Sequence, residues 1–150
     1  MQRRSFLQLA TLAGLFPFGG LAHAGLPAVT VYKSASCGCC AQWVEHLQKN
    51  GFVVHVHDVP DTAVYRNRFG VPPALSSCHT AMIAGYALEG HVSAKEIKRL
   101  LVEKPSAAGL AVPGMPMGSP GMEGMRVDAY DVLLFTKDGR HSVYQHYAAK

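Results

Sequence analysis

Charge is scarce in this chain, and what there is never gathers. Only 16% of the 150 residues are Asp, Glu, Lys or Arg, against 49% hydrophobic, a balance that excludes an intrinsically disordered protein. The formal charge of +4 includes Arg3 and Arg4; beyond residue 24 there remain 12 basic and 10 acidic side chains with no basic run, which excludes a nucleic-acid footprint. Also missing is a solid apolar run of the roughly 20 residues that a membrane crossing needs. The one candidate, Phe6 to Leu21, is broken by Gly14, Pro17, Gly19 and Gly20. Tryptophan occurs once, as Trp43, and reads as core.

What is present begins with an export address. Arg3 and Arg4 precede the uncharged apolar run, which closes on the small-x-small ending Ala22-His23-Ala24. Cleavage after Ala24 and a periplasmic location are expected. Arg3-Arg4-Ser5-Phe6-Leu7 also resembles a twin-arginine signal, and ordinary secretory signals share adjacent basic residues, so the route stays open. The remaining residues, 25–150, suit one domain. In an oxidising compartment Cys37, Cys39, Cys40 and Cys78 can pair in three ways. Joining the adjacent Cys39 and Cys40 would close a strained ring. Two connectivities remain: Cys37 to Cys40 with Cys39 to Cys78, or Cys37 to Cys39 with Cys40 to Cys78.

Along the mature chain, residues 28–33 alternate and are β-branched, which predicts a strand. A turn through the cysteines leads into a helix over 41–50, with Trp43, Val44 and Leu47 on one face and Asn50-Gly51 as its stop. Residues 52–59 read as a strand with Phe52, Val54 and Val56 on one side. Asp61 can cap a short helix to about Phe69, which Gly70 ends. Strands follow at 80–84 and 86–89 around Gly85. Ser93 and Glu96 then form a capping box, with Val92 and Ile97 as a staple, for a helix ending before Pro105. Residues 105–125 hold four Pro, five Gly and four Met with no period, and read as one long loop. A hairpin, Tyr130 to Thr136 and His141 to Tyr147, should extend the sheet. A βαβ unit followed by a ββα unit predicts a single α/β domain of thioredoxin-like order, whose first strand-to-helix junction carries the cysteine cluster.

Cys37-Gly38-Cys39-Cys40 contains a C-x-x-C spacing at a helix start, where amides and the helix dipole favour thiolate. The spacing serves redox exchange and metal binding alike. In the expected fold Ser77-Cys78-His79-Thr80 lies against it, where a thioredoxin places a cis-proline. Thiols and an imidazole so arranged suit Cu(I) or zinc and not calcium or magnesium. Two structural disulfides in a small exported domain are the plainer reading, but Cys37 to Cys40 closes almost no loop and so would stabilise little. Met115, Met117, Met122 and Met125 add thioethers, which favour copper over zinc, although methionines also fill gaps over a core. His55 and His57 could chelate from one strand face, yet read first as half-exposed sheet residues. His46 could reach the site from its helix but reads as a surface residue, and His141 and His146 point to opposite faces.

The signal, Cys37-Gly38-Cys39-Cys40, Ser77-Cys78-His79-Thr80-Ala81 and the loop from Gly114 to Glu123 together resemble the CopG-like periplasmic copper-resistance proteins, over about residues 27–149. The resemblance implies a thioredoxin-like fold and copper bound through Cys37, Cys39, Cys40 and Cys78, with His79, Met115, Met117 and Met122 as weaker additions. It also implies a role in changing the redox state of copper or thiols; Cys37 and Cys40 are the redox candidates by their C-x-x-C spacing. Copper ions and other exported copper-handling or redox proteins are the expected partners. Two other classes stay open: a thiol-disulfide oxidoreductase acting on exported proteins, and a Cu(I) chaperone or buffer that does not turn over. Against a general oxidoreductase stand the missing Trp before Cys37, the missing Pro between the cysteines, and Cys78-His79 in place of the substrate-gripping proline.

Overall fold

The computed structural model describes residues 25–150; the expected export signal lies outside them. The first strand, β1 (Val29–Lys33), buries Val29, Val31 and Lys33 in alternation. Helix α1 (Gly38–Lys49) buries Cys40, Trp43, Val44 and Leu47, the spacing of one helical face. It starts three residues earlier than expected. Cys37 is its N-cap, and Cys39 and Cys40 lie in its first turn.

Strand β2 (Val54–Asp58) runs parallel to β1, with Val29 opposite Val54. As an edge strand it is covered less than its pattern predicts: Phe52 is buried, but Val56 is 41% exposed. Helix α2 (Ala63–Arg68) is short, and Asp61 Oδ1 accepts from the Ala63 N–H at 2.8 Å. A 3-10 turn at Pro73–Leu75 precedes β3 (His79–Ile83) and β4 (Tyr86–Glu89). Ala84 and Gly85, both at positive φ, make the two-residue turn between them.

Helix α3 (Ala94–Glu103) is where the sequence places it, capped by Ser93, whose Oγ accepts from Lys95 N–H. The capping box is only half realised. Glu96 takes hydrogen bonds from the Ser93 and Tyr147 hydroxyls instead of reaching back to a backbone amide.

The expected long loop needs correction, because it contains strand β5 (Gly109–Ala111), parallel to β4. A Cβ on Gly109 would lie 1.8 Å from the Ala87 carbonyl oxygen, so glycine alone permits this pairing. Three residues are too few to display a period. Strands β6 (Tyr130–Phe135) and β7 (His141–Tyr147) form the expected hairpin. The sheet order is β2-β1-β3-β4-β5-β6-β7. Side chains of α1 and α3 share one core with Val31, Ala81, Ile83, Leu88 and Leu110. A smaller cluster of Val71, Leu75, Ala87, Ala111 and Phe135 lies apart from it. Among the described residues no helix is long and apolar enough to cross a membrane.

Candidate metal centre

The start of α1 presents three sulfurs. Cys37 and Cys40, one turn apart, are joined as a disulfide, and Cys39 is a free thiol between them. Cys39 Sγ lies 3.5 Å from Cys37 Sγ and 4.0 Å from the free thiol of Cys78, which comes up from the segment before β3. All four sulfurs fall within 4.8 Å of one another. The structure thus contains the Cys37 to Cys40 pairing, with Cys39 and Cys78 side by side and unjoined.

Cys78 also belongs to a second cluster. Its Sγ is 3.3 Å from His79 Nδ1 and 3.2 Å from His91 Nε2. His91 is the residue that reading the sequence missed, although the signal was there. The hairpin register sets Thr80 opposite Glu89; carried two residues outward, it sets Cys78 opposite His91. His91 Nδ1 lies 2.8 Å from the Pro120 carbonyl, which can only accept, so Nδ1 holds the proton and Nε2 turns a lone pair toward Cys78. His79 is fully buried, its ring 4.3 Å from Trp43. Its Nε2 has no hydrogen-bond partner, the one such buried side-chain nitrogen or oxygen among the described residues.

Burial, with His91 next to it, drives the His79 pKa down to about 3, and burial lowers that of His91. Both imidazoles are therefore neutral and have a lone pair to donate. Burial and the adjacent Cys39 push the Cys78 thiol up to about 12, so without a metal it stays protonated. A metal ion would have to displace that proton. Thiols and neutral imidazoles are soft to borderline donors, unlike the oxygen cages of calcium or magnesium.

The Gly- and Pro-rich loop closes over this cluster with its backbone. Gly114 N–H donates to Ser76 carbonyl at 3.0 Å, and Ser77 Oγ donates to the Gly114 carbonyl. Pro120 holds His91. Gly121, at φ +85°, packs so tightly on the first turn of α1 that a Cβ would sit 2.8 Å from Cys39 O and Trp43 N. Of the methionines, Met115 is 53% exposed and Met117 and Met122 are half-buried.

The remaining histidines go elsewhere. His46 Nε2 accepts from Ala94 N–H at 3.0 Å and so ties α1 to the start of α3, a half-buried linking role where a surface one was expected. His55 and His57 are exposed on edge strand β2, His57 stacking 5.2 Å from Tyr32. His141 and His146 are exposed on β7.

Fold and donors together define a class: a single-sheet α/β protein whose thiol and imidazole centre, at a helix start, suits a metal such as copper. Two solved structures, titled "Copper resistance protein copG- Form 1" and "Form 2", match it. The first is 47% identical, with a TM-score of 0.77, covering 82% of this chain and 98% of that one. The second is 46% identical, with a TM-score of 0.76, covering 81% and 98%. A family model described as "Protein of unknown function, DUF411" matches residues 75–122, which include Cys78, His79 and His91. No curated protein sequence matches. The chain belongs to the CopG family of copper-resistance proteins.

Proposed function

We propose that this chain is an exported copper-binding protein of copper resistance, which takes Cu(I) on the cysteine cluster shared by α1 and Cys78. The observation that carries this reading is Cys78, whose thiol belongs both to the cluster with Cys37, Cys39 and Cys40 and to the cluster with His79 and His91. In the oxidised state Cys78 with His79 and His91 offers one donor set and Cys39 a further thiol beside Cys78; reduction frees Cys37 and Cys40 to complete the four-cysteine set. Zinc accepts the same donors and is disfavoured because the loop supplies thioethers from Met115, Met117 and Met122. Residues 1–24 are the cleaved signal, residues 25–150 the periplasmic domain, and 105–125 the methionine-bearing cover. Parallel β1 and β2, antiparallel β3 and β4, and a cysteine pair opening α1 support a thioredoxin-like unit extended by β5 to β7.

Binding and redox state are coupled in this reading. The Cys37–Cys40 disulfide takes two electrons and two protons to become two thiols, and two Cu(I) ions becoming Cu(II) release two electrons. The exchange is balanced and runs in either direction. A thiol-disulfide oxidoreductase is the second reading, favoured by a disulfide whose Cys37 is part-exposed while Cys40 is buried. An anaerobic Cu(I) titration of reduced protein against a competing chelator, repeated on Cys78→Ser and paired with an insulin-reduction assay, separates the two. Tight binding that Cys78→Ser weakens sharply supports the copper reading. Insulin turnover without copper retention overturns it.

A further inference from the structure

The segment that carries Cys78 has no strand or helix of its own at Ser76 and Ser77, between the 3-10 turn and β3. Its peptide groups must find partners elsewhere. Those of Ser77 are gripped by two charged side chains. Ser77 N–H donates to Glu89 Oε1 at 2.7 Å, and the Ser77 carbonyl accepts from Arg66 Nη2 at 2.7 Å. Arg66 Nε donates to the same Glu89 oxygen at 2.7 Å, which closes a ring of three charge-assisted bonds around the backbone N–H and C=O of one residue. Thr80 Oγ1 donates to the other Glu89 oxygen. The Glu89 side chain is completely buried and that of Arg66 is 12% exposed.

A buried ion pair is an inefficient way to stabilise a sheet, since apolar side chains of similar volume serve as well or better. This pair does something that apolar groups cannot: it fixes both polar groups of the residue before Cys78. It does so from the other face of the sheet, because Thr80 and Glu89 point away from His79, which packs on Trp43 of α1. On the far side of Cys78 the chain is fixed as well, by Gly90 N–H donating to the His79 carbonyl at 3.0 Å.

We infer that Arg66 and Glu89 are positioning residues for Cys78: their grip on the Ser77 peptide holds the Cys78 thiol at the meeting point of Cys39, His79 and His91. The metal-affinity consequence rests on the copper reading above; the placement of the thiol does not. Misplacing a reacting group by about an ångström costs on the order of 100-fold. Loosening the grip should therefore slow the pairing of Cys78 with Cys39 even where no metal is present.

The test uses Arg66→Lys, which keeps the charge but loses the planar fork, and Glu89→Gln, which keeps the shape but loses the ion pair. In metal-free protein with the Cys37–Cys40 disulfide intact, the rate of diamide-driven Cys39–Cys78 disulfide formation is followed by mass spectrometry. Cu(I) retention against a chelator is measured alongside, and far-UV circular dichroism checks the fold. The expected result is a native spectrum with a pairing rate and a Cu(I) affinity each lower by about 10- to 100-fold. Natively folded variants that pair at the wild-type rate overturn the inference. If Glu89→Gln does not fold, Arg66→Lys decides the matter. Wild-type protein that holds no Cu(I) overturns the proposed function, and the pairing rate then judges the positioning role by itself.

Discussion

Cys78 stands 4.0 Å from one thiol and within 3.3 Å of two imidazoles, so its own protonation decides what the cluster can hold. His91 is the neighbour whose orientation is best determined, by its bond to Pro120. Replacing it with Ala removes a donor and should lower Cu(I) affinity by at least the roughly 10- to 100-fold that losing even a ligand's outer-shell partner costs, as read by chelator competition. An unchanged affinity would remove His91 from the centre.

His79 gives a prediction in pH. Its folded pKa, about 3, lies below the unfolded 6.5, so the unfolded chain takes up the proton first. The stability this contributes is complete above pH 6.5 and is lost progressively as pH falls toward 3. Urea midpoints of metal-free protein should decline over that range, with on the order of 1 kcal/mol per pH unit attributable to His79. His79→Phe should flatten the slope by that amount; an unchanged slope would refute it. The sequence made the four cysteines and His79 legible, because their spacing is itself chemistry. His91 escaped because its partner lies across a hairpin, and only the register around Ala84-Gly85 reveals it.

At the scale of elements, legibility followed the density of local signals. Helix α3 has a cap, a staple and an apolar stripe, and folds where those signals put it. Strand β5 has none of them. Its place between β4 and β6 depends on Gly109 admitting the Ala87 backbone, a fact about a neighbour and not about the segment. Gly109→Ala should accordingly cost upwards of about 3 kcal/mol in denaturant unfolding, as overpacking against backbone does. Two loop glycines allow a controlled comparison. Gly114 and Gly121 both have positive φ, but a Cβ meets nothing within 4 Å at Gly114 and meets α1 at Gly121. Gly121→Ala should lift the loop from Cys39 and weaken Cu(I) retention, while Gly114→Ala should incur only the left-handed backbone strain of about 1–2 kcal/mol. Equal metal affinities in the two variants would mean that the cover plays no part in binding.

For the whole molecule, the extended core shared by α1, α3 and the sheet carries the fold, and the Cys37–Cys40 bond adds little to it. Closing residues only three apart constrains the unfolded chain by about 2 kcal/mol in the loop-entropy account. Reduced protein should therefore keep its near-ultraviolet dichroism and lose no more than that in a urea titration. Unfolding on reduction would contradict a centre that needs free thiols. Copper should then raise the melting temperature of the reduced form, with about 2.7 kcal/mol gained at a hundredfold excess over Kd.

The separations along the chain also set an order of events during maturation. Cys37 and Cys40 meet through a few residues of local chain, whereas Cys39 and Cys78 are 39 apart and His91 must wait for Pro120, 29 residues on. Short loops close first. Once Cys37 and Cys40 are joined, Cys39 and Cys78 are the one further pair the chain can make without exchanging that disulfide. The proposed metal-accepting geometry arises only when residues as late as Gly121 have docked, so that a half-finished chain presents no complete trap for metal.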